Sequence, residues 1–432
     1  MAGIPRSGER RADTALDKPG SATDVAFMSD TIRCDLAIVG GGLVGLTLAR
    51  AAARVGFDVV VVDRDDPAAV TDADFDGRVT SLAYGSHAML DALDLWPALA
   101  PHAEPILDIR VADGDSPLFL HFDHTEVGDR PFGFMVENTY IRRALMDGLE
   151  SIDGLTWLAP MAVEEWTTHP GHGELRLSDG RTVRATLVAA ADGRGSALRQ
   201  AAGIRSVAWR YPQTAIVATL SHELPHHGVA KEHFQPSGPF ALLPMRDNRS
   251  SMVWTERESV APDFVALDTP AFEAEVQARA GEHLGKLFQA SRRWAYPLSL
   301  HNAETYIGPR LALVGDAAHA MHPLAGQGLN LGLRDVAWLV EEMIGAARLG
   351  LDIGADQMLR RYLRARRWDA LTMLVMTDGL NKLFSNDIAP VRIARDLGLG
   401  IVNAIKPAKT FFERRASAMT GDLPQLMQGQ LP

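Results

Sequence analysis

One segment of the sequence, residues 315 to 335, joins an acidic side chain to a glycine-rich loop that could bind a ligand. The apolar run Leu311 to Val314 ends at Gly315 and Asp316, and the segment finishes in apolar residues with helical spacing. Backbone N–H groups of the loop, with the positive end of the helix dipole behind them, could bind an electron-rich ligand edge, and Asp316 could accept hydrogen bonds from ligand hydroxyl groups. The donors would belong to Gly326, Gln327, Gly328, Leu329 and Asn330. Taken alone, the pattern fits an ordinary connection capped by Asp316 equally well.

A second group of residues has the spacing of a dinucleotide site. Gly40, Gly42 and Gly45 satisfy G-x-G-x-x-G directly after the apolar run Asp35 to Val39. Glycines at these positions let the backbone approach a pyrophosphate at a helix N-terminus. A predicted helix and strand follow, and the strand ends at Asp63, close to the ~20-residue separation at which a carboxylate binds an adenosine ribose hydroxyl. Because Asp63 disfavours a 2′-phosphate, the pattern predicts FAD or NAD rather than NADP in this pocket.

A third group follows the predicted strand Thr182 to Ala190. Asp192 and Gly193 end this strand, and Ser196 and Arg199 come shortly afterwards. Alone, the group indicates a strand that ends in an Asp-Gly turn before a helix. Together, however, the three groups resemble, in order, the fingerprints of the FAD-dependent aromatic hydroxylases, which are para-hydroxybenzoate hydroxylase-like flavoprotein monooxygenases.

This resemblance implies a role for each group. In that family the first group binds FAD, the Asp-Gly pair of the second fingerprint serves FAD and, indirectly, the pyridine nucleotide, and the Gly-Asp carboxylate, here Asp316, holds the ribityl chain. The segment Pro323 to Asn330 would lie beside the isoalloxazine ring, with Pro323, Gly326 and Gln327 near the flavin ring. None of the side chains in these motifs is assigned as a catalytic acid or base, since the flavin carries the chemistry.

Other residues are expected at the flavin from the resemblance alone. Arg78 would contact the flavin, although a solvated loop arginine fits the same sequence. Asn138 and Arg142 match an amide and an arginine that the family places at a helix start, although Asn138 could equally be a simple N-cap. The complete set of expected cofactor-binding residues is Gly40, Gly42, Gly45, Asp63, Arg64, Arg78, Asn138, Arg142, Asp192, Gly193, Arg199, Gly315, Asp316, Gly326, Gly328, Leu329 and Asn330.

The C-terminal part sharpens the resemblance. An arginine-rich predicted helix, Gln357 to Trp368, precedes Asp378 and Gly379, then Leu-Phe-Ser at 383 to 385 and a predicted helical hairpin. These features resemble the UbiH-type hydroxylases of ubiquinone biosynthesis, and the similarity covers about residues 35 to 419. It implies hydroxylation of a polyprenylated phenol by dioxygen through a flavin C4a-hydroperoxide, with FAD as cofactor and NADPH or NADH as transient reductant.

Composition limits the class of protein. The chain has 432 residues, 47% of them hydrophobic, and a formal net charge of −11, which argues against a nucleic-acid partner. Its single cysteine, Cys34, excludes an internal disulfide and a cysteine-rich metal site, so a reducing, cytoplasmic setting is expected. The histidines at 222, 226, 227 and 233 lack ligand spacing, and no metal is expected. No apolar run is long enough to cross a bilayer, and residues 1 to 30 are expected to be disordered.

These patterns predict an α/β fold with an α+β second unit: a Rossmann-like FAD-binding domain, an inserted β-sheet substrate domain and a C-terminal helical region. In the substrate domain we expect a helix from Phe272 to Leu287. The predicted division is an N-terminal extension at 1–30, FAD-binding parts at 31–105, 181–204 and 305–345, mixed inserted strands with an FAD-domain helix at 106–180, the substrate sheet at 205–304 and the helical region at 346–432.

Partners and alternative functions remain open from the sequence. The largely basic segment Val391 to Arg415 suits anionic lipid headgroups or other ubiquinone-biosynthesis proteins, although a solvated helix explains it too. Another FAD-dependent aromatic hydroxylase, an isoprenoid reductase or a halogenase would share the first glycine group. A halogenase would carry a Trp-x-Trp-x-Ile-Pro segment, which this sequence lacks. A non-catalytic flavoprotein subunit would bind FAD without oxidising NAD(P)H when substrate is supplied.

Overall fold

The computed structural model describes residues 31–72, 76–113, 119–126, 128–321, 326, 328–385 and 423–432. The predicted N-terminal extension, Pro323, Gln327 and the basic segment Val391 to Arg415 lie outside these ranges. The predictions made for them therefore stay predictions.

The strands of the described residues are β1 Thr31–Val39, β2 Val59–Val62, β3 Val79–Ala83, β4 Glu104–Ile106, β5 Asp108–Asp113, β6 Phe119–Asp123, β7 Gly133–Glu137, β8 Leu155–Leu158, β9 Val163–Thr168, β10 Gly173–Leu177, β11 Thr182–Ala190, β12 Ser206–His222, β13 Val229–Gln235, β14 Gly238–Met245, β15 Arg249–Arg257, β16 Leu287–Gln289, β17 Trp294–Ala303, β18 Ile307–Gly308, β19 Leu311–Leu313 and β20 His319–Ala320. The helices are α1 Leu43–Arg54, α2 Pro67–Asp72, α3 Tyr84–Ala92, α4 Trp96–Leu99, α5 Asn138–Met146, α6 Ala197–Ala201, α7 Ala261–Ala266, α8 Thr269–Ala280, α9 Gly328–Arg348 and α10 Asp356–Phe384.

An eight-stranded sheet carries the three groups of predicted ligand-binding residues. Its main strand order is β18-β19-β11-β1-β2-β8, and β1 runs parallel to both β2 and β11, while β11 runs parallel to β19. The four valines of β2 are buried, as expected for a parallel strand covered on both faces. Leu46 of α1 and Val336 of α9 join the same apolar core. The three groups therefore meet along the carboxyl-terminal edge of one sheet, where α/β proteins bind ligands.

A nine-stranded sheet forms the second unit, with β12 antiparallel to β15 and β17 at its centre. One face packs on α8, where Phe272 and Val276 contact the cluster around Trp254. The opposite face of this sheet packs towards the parallel sheet, because its residues Ala215 and Leu300 belong to the core that surrounds the parallel strands. The second sheet is thus the α+β unit that the sequence predicts.

The predicted helix Phe272 to Leu287 is wrong at both ends. Asp268 accepts a hydrogen bond from Ala271 N at 2.9 Å and starts α8 earlier than expected. Gly281, with φ of +73°, ends the helix at Ala280, and Leu287 begins a strand instead. The apolar residues after Gly281 belong to a different element although they continue the helical spacing.

A small antiparallel sheet, β3-β7-β4, lies between the two large units. Val79 of β3 and Met135 of β7 pack in one cluster with Phe234 of β13. The long helix α10 continues past Gly379 to Phe384. Its end reaches the same cluster, where the Phe384 ring stacks on the Phe234 ring with centroids 4.2 Å apart. Among the described residues, no helix combines the length and the apolar character needed to cross a bilayer.

Candidate functional site

The first glycine group forms a tight turn between β1 and the N-terminus of α1. Gly40 has φ of +107°, and a Cβ there would collide with the Ala191 carbonyl. A Cβ on Gly45 would collide with the Gly40 carbonyl, so both glycines allow close packing of α1 on the sheet. Gly42 differs, because a Cβ there would meet no protein atom within 4 Å. The backbone at Gly42 therefore faces open space at a helix N-terminus, where an anionic group is stabilised.

Asp63 lies beside this turn at the end of β2. Its Oδ2 accepts a hydrogen bond from Gly41 N at 2.5 Å, and its Oδ1 accepts one from Asp65 N at 3.0 Å. These bonds orient the half-buried carboxylate next to the glycine turn. The adjacent Arg64 is exposed, and its Nε lies 3.7 Å from Asp65 Oδ1. No contact joins Arg64 to the glycine turn among the described residues.

The second group is connected to the third through Arg199. This side chain is buried and donates hydrogen bonds to the Ala317 carbonyl at 2.9 Å and the Arg194 carbonyl at 3.0 Å. Ser196 caps α6 by accepting a hydrogen bond from Arg199 N. Burial lowers the pKa of Arg199, against a smaller opposite effect of Asp192. In this structure Arg199 fixes two loops to each other, and its guanidinium is engaged by backbone carbonyls.

Asp192 keeps one carboxylate oxygen without a partner among the described residues. Its Oδ2 accepts hydrogen bonds from Ala197 N at 2.8 Å and Leu198 N at 3.3 Å. Its Oδ1 is buried and has no hydrogen-bond partner. An unpaired buried oxygen costs about 1–3 kcal/mol, which a ligand donor would offset. The neighbouring Gly193, with φ of +82°, would place a Cβ in open space.

Asp316 lies in the short turn after β19. Half of its side-chain surface is open to solvent, and the nearest cation is Arg194, whose Nη2 is 3.9 Å from Asp316 Oδ2. Nearby protein atoms partly desolvate the carboxylate and raise its pKa, while Arg194, His319 and Arg78 act in the opposite direction. A carboxylate that is only weakly paired can accept hydrogen bonds from ligand hydroxyl groups.

A buried ionic network, which the sequence analysis missed, holds this turn from beneath. Asp335 of α9 is fully buried, and its Oδ2 accepts a hydrogen bond from Gly315 N at 2.8 Å. His319 Nε2 lies 2.7 Å from the same oxygen, and Arg366 Nε donates to Oδ1 at 2.7 Å. Burial alone would raise the pKa of Asp335, but His319 and Arg366 outweigh it and lower the pKa. Asp335 therefore stays ionised and fixes the backbone before Asp316.

The network continues along α10. Arg366 is 1% exposed and also donates to Asp369 Oδ2 at 2.6 Å, and Arg334 Nη1 donates to both Asp369 oxygens at 2.9 and 3.0 Å. Burial alone would lower the pKa of Arg366, but Asp335 and Asp369 raise it. Tyr362 of the same helix donates to the Leu313 carbonyl at 2.8 Å. Helix α10 thus supports the Gly315 turn, although no residue of α10 belongs to the predicted site.

The N-terminus of α9 is tied to β3 by Asn330. This buried side chain accepts a hydrogen bond from Ala83 N at 2.9 Å and donates one to the Ser81 carbonyl at 2.7 Å. Gly326, with φ of +62°, would place a Cβ 3.4 Å from Ser81. Gly328 is exposed at the first turn and faces open space. The Asn330 amide therefore binds the backbone of β3. The groups left to bind a ligand at the start of α9 are its backbone N–H groups.

Three further predicted residues lie around β3 and α5. Arg78 donates to Asp76 Oδ2 at 2.6 Å and is more than half exposed. Asn138 Oδ1 accepts a hydrogen bond from Thr80 Oγ1 at 2.6 Å. The alternative that Asn138 is an N-cap is wrong, since Glu137 precedes the helix and Asn138 is already its first helical residue. Arg142 is half-buried one turn later.

These positions match the chemistry of FAD. Along one sheet edge the structure provides two helix N-termini with open backbone, at Gly42 and Gly328, and carboxylates at Asp63, Asp192 and Asp316. A diphosphate suits a helix N-terminus, and ribose and ribityl hydroxyls suit carboxylate acceptors. The unpartnered Asp192 Oδ1 is an observation that a polar ligand would explain.

Comparison with known proteins agrees with an FAD-binding site. Residues 33–372 match the family model described as FAD binding domain. The chain is 48% identical to the ubiquinone hydroxylase UbiL of Rhodospirillum rubrum, over 97% of this chain and 98% of the relative. It is 35% identical to the 3-demethoxyubiquinol 3-hydroxylase of Escherichia coli, over 84% of this chain and 93% of the relative. It is 31% identical to the human mitochondrial ubiquinone biosynthesis monooxygenase COQ6, over 90% of this chain and 92% of the relative.

Solved structures share the fold. The p-nitrophenol 4-monooxygenase PnpA of Pseudomonas putida superposes with a TM-score of 0.74 at 19% identity, covering 91% of this chain and 99% of that one. PqsL of Pseudomonas aeruginosa, described as a probable FAD-dependent monooxygenase, superposes with a TM-score of 0.71 at 21% identity, covering 85% of this chain and 99% of that one. At these identities the likeness concerns the fold.

Proposed function

Since the chain belongs to the FAD-dependent aromatic hydroxylase family, we propose that it hydroxylates a polyprenylated phenol in ubiquinone biosynthesis, using NADPH or NADH and dioxygen. The observation that carries the proposal is that the similarity to hydroxylases named for ubiquinone extends over nearly the whole chain, the second sheet and α10 included. A shared nucleotide-binding domain alone would indicate only a flavoprotein.

The residues that would hold FAD follow from their positions. The backbone at Gly42 and the N-terminus of α1 would bind the diphosphate, and Asp63 would bind the adenosine ribose. Asp192 would accept a hydrogen bond through its unpaired Oδ1, and Asp316 would hold the ribityl hydroxyls. The loop ending at Gly328 would lie at the ring. Arg64 and Arg199 contribute least to this proposal, because the first is exposed and the second is bound to backbone carbonyls.

At the flavin, the protein would supply binding, orientation and electrostatics. When bound, the reduced flavin supplies the electrons that activate dioxygen for transfer of one oxygen atom to the phenol ring. Backbone N–H groups at the start of α9, with the helix dipole behind them, would stabilise negative charge at the N1–C2=O edge of the ring. The network around Asp335 would hold the Gly315 turn in one conformation, so that these groups need no reorganisation during the reaction.

A prenylated substrate requires apolar surface next to the ring pocket. The cluster between β3, β13 and the end of α10 provides such surface, with Val79, Val111, Phe234 and Leu380 packed together. Apolar surface of this kind would suit the prenyl tail of such a substrate.

We also propose peripheral contact with a membrane or with other ubiquinone-biosynthesis proteins through the C-terminal region. Trp368, Leu371 and Val375 are exposed along α10, with spacing that brings them to one side of the helix. They precede the basic segment Val391 to Arg415, and apolar side chains beside basic ones suit an anionic lipid surface. Replacing Trp368 and Val375 by serine should reduce liposome flotation and co-purification with pathway proteins. Serine at the exposed Leu349, after α9, is the control, and unchanged flotation and co-purification of the double variant would exclude the contact.

The function is tested with the purified protein. Its absorption spectrum should show bound FAD, and oxidation of NADPH or NADH should accelerate with a prenylated phenol and yield a product with one more ring oxygen. Oxygen-independent reduction of the substrate would instead indicate an isoprenoid reductase. Bound FAD without any NAD(P)H oxidation would indicate a non-catalytic flavoprotein subunit.

A further inference from the structure

One acidic side chain, Glu232, lies on the inner face of the second sheet and has no hydrogen-bond or ion-pair partner among the described residues. Side chains alternate along β13, so Ala230, Glu232 and Phe234 share one face. Ala230 and Phe234 belong to the apolar cluster beside β3, whereas Phe240, which pairs with His233 across the ladder, packs with α8 on the opposite face. Glu232 therefore faces the small sheet β3-β7-β4 and the end of α10.

The surroundings of Glu232 are apolar on every neighbouring strand. Its partner in register on β5 is Val111, and its partner on β14 is Ala241. Val111 and Leu243 pack on the same cluster. No hydrogen bond or ion pair joins the Glu232 side chain to any residue that the structure describes. The side chain is half-buried, and apolar surroundings of this kind favour the protonated form of a carboxylate.

This position is continuous with the flavin side of the predicted site. Gly326, in the ring-binding loop, lies against Ser81 of β3, and Val79, two residues earlier on that strand, packs in the cluster that contains Phe234. A ligand ring held between the α9 N-terminus and the inner face of the second sheet would thus have β3 along its edge. Glu232 shares the sheet face of Phe234, so its carboxylate would lie on the sheet side of that ring.

Among the described residues, no charged group neutralises Glu232. The elements packed around its face carry Asp113 on β5, Asp378 and Lys382 on α10, Arg78 before β3 and Glu137 at the end of β7. Asp378 is engaged by Lys382 Nζ at 2.9 Å, and Arg78 by Asp76. Burial is the one cause that moves the pKa of Glu232, and it raises the pKa to about 7. The ionised form therefore becomes populated as the pH rises through neutrality.

We propose that Glu232 is the catalytic base that accepts the proton of the substrate's ring hydroxyl as oxygen is transferred. The inference rests on the proposed function, since it requires a phenol as substrate. The O–H bond of the phenol breaks, its proton moves to the Glu232 carboxylate, and the electron pair left on the phenolic oxygen increases electron density at the ortho and para ring carbons. After oxygen transfer the proton leaves Glu232 to solvent or returns to the product oxygen, so the step consumes no further reactant.

A phenol has a pKa of about 10 and is neutral at physiological pH, which makes the ring a weak nucleophile. A base with a pKa near the working pH is the most effective general base, and such catalysis contributes about 100- to 10,000-fold. Ionised Glu232 is such a group, whereas an exposed glutamate with a pKa near 4 would be too weak.

The test compares Glu232→Gln with Glu232→Asp and with Glu165→Gln, an exposed strand glutamate on β9. Glu232→Gln should bind FAD and be reduced by NAD(P)H normally, yet form product about 100- to 10,000-fold more slowly and release hydrogen peroxide instead. The rise of the wild-type hydroxylation rate through about pH 7 should disappear in Glu232→Gln and persist, at lower rate, in Glu232→Asp. Ring-fluorinated phenols, which ionise more easily, should recover more activity in Glu232→Gln than in the wild type.

Infrared difference spectra provide a readout that does not depend on turnover. The wild type should show a carboxylic-acid band that titrates near pH 7, is absent in Glu232→Gln and shifts when a phenol binds but not when its methyl ether binds. A Glu232→Gln variant that keeps both the pH dependence and the yield of product per NAD(P)H would overturn the inference. A wild-type carboxylic-acid band that does not shift when phenol binds would overturn it too. If instead the wild type hydroxylates no prenylated phenol, the proposed substrate fails, and the infrared result still decides whether Glu232 binds a phenol hydroxyl.

Discussion

Replacing Asp335 by asparagine should lower the free energy of unfolding by about 3–5 kcal/mol, the usual cost of breaking a buried ion pair on one side. Asp335 is fully buried, and its carboxylate accepts hydrogen bonds from Gly315 N at 2.8 Å and Arg366 Nε at 2.7 Å. His319 Nε2 lies 2.7 Å from the same carboxylate. Asparagine keeps the shape but turns one oxygen into an NH2 group, which must then face the donor of Gly315 or of Arg366. It also removes the charge that balances a buried guanidinium, leaving Arg366 with Asp369 alone.

A matched control lies on α10, the helix that carries Arg366. Asp356 and Arg360 form a 2.6 Å pair in which both side chains are about two-thirds exposed. Asp356→Asn should therefore lower the free energy of unfolding much less than Asp335→Asn, because solvent screens exposed i,i+4 pairs. The assay is urea unfolding at saturating FAD, followed by intrinsic fluorescence, with the slope m compared between variants.

The same experiment should reveal a link to the cofactor. Since Gly315 N–H loses its acceptor, the turn before Asp316 should become less ordered, and FAD should dissociate more readily from Asp335→Asn than from Asp356→Asn. A destabilisation below about 1 kcal/mol for Asp335→Asn, with unchanged FAD affinity, would refute the reasoning that this network supports the site.

Three more predictions follow from the geometry. Gly42→Val should fold normally, because its side chain meets open space in the protein, yet lose FAD and its yellow colour; Gly345→Ala, also in open space on α9, should keep both, and full flavin occupancy in Gly42→Val would contradict the assignment. Asp316→Ala should weaken FAD binding by about 1–3 kcal/mol in a flavin-fluorescence titration, and an unaltered affinity would remove the ribityl role. Burial alone would raise the pKa of Asp369, but Arg334 and Arg366 lower it from 3.8 to about 2. Ionised Asp369 should therefore add about 2 kcal/mol of stability above about pH 4, and this contribution should be lost as the pH falls towards 2. Acid unfolding of Asp369→Asn should lack this pH dependence.

Local patterns were sufficient to predict the nucleotide-binding edge. The glycine turn, the strand ending at Asp63 and the loop before α9 each occur within a short stretch of sequence, and their hydrogen bonds and φ angles are local consequences of it. Gly40 and Gly45 illustrate the limit even there, because the sequence does not reveal that they serve helix packing while Gly42 faces open space.

Contacts between distant residues could not be predicted in this way. Asp335 and Arg366 are on different helices, and nothing in the spacing around either residue indicates the other. The Asn330 amide binds strand β3, which lies about 250 residues earlier, and Arg199 joins two loops. A signal was present for Asp335, since an aspartate on the apolar side of a predicted helix must have a buried partner. Glu232 carried a weaker signal, since it alternates with Ala230 and Phe234 along β13 although Lys231 and His233 flank it.

The most direct test of the central claim is isotopic. The purified protein, loaded with FAD, is given NADPH or NADH, a prenylated phenol and ¹⁸O-labelled dioxygen, and the product is analysed by mass spectrometry. The proposed function predicts one labelled oxygen on the ring for each NAD(P)H consumed in a coupled turnover. Reductant consumption without label in any phenolic product, or product carrying oxygen from water, would contradict it.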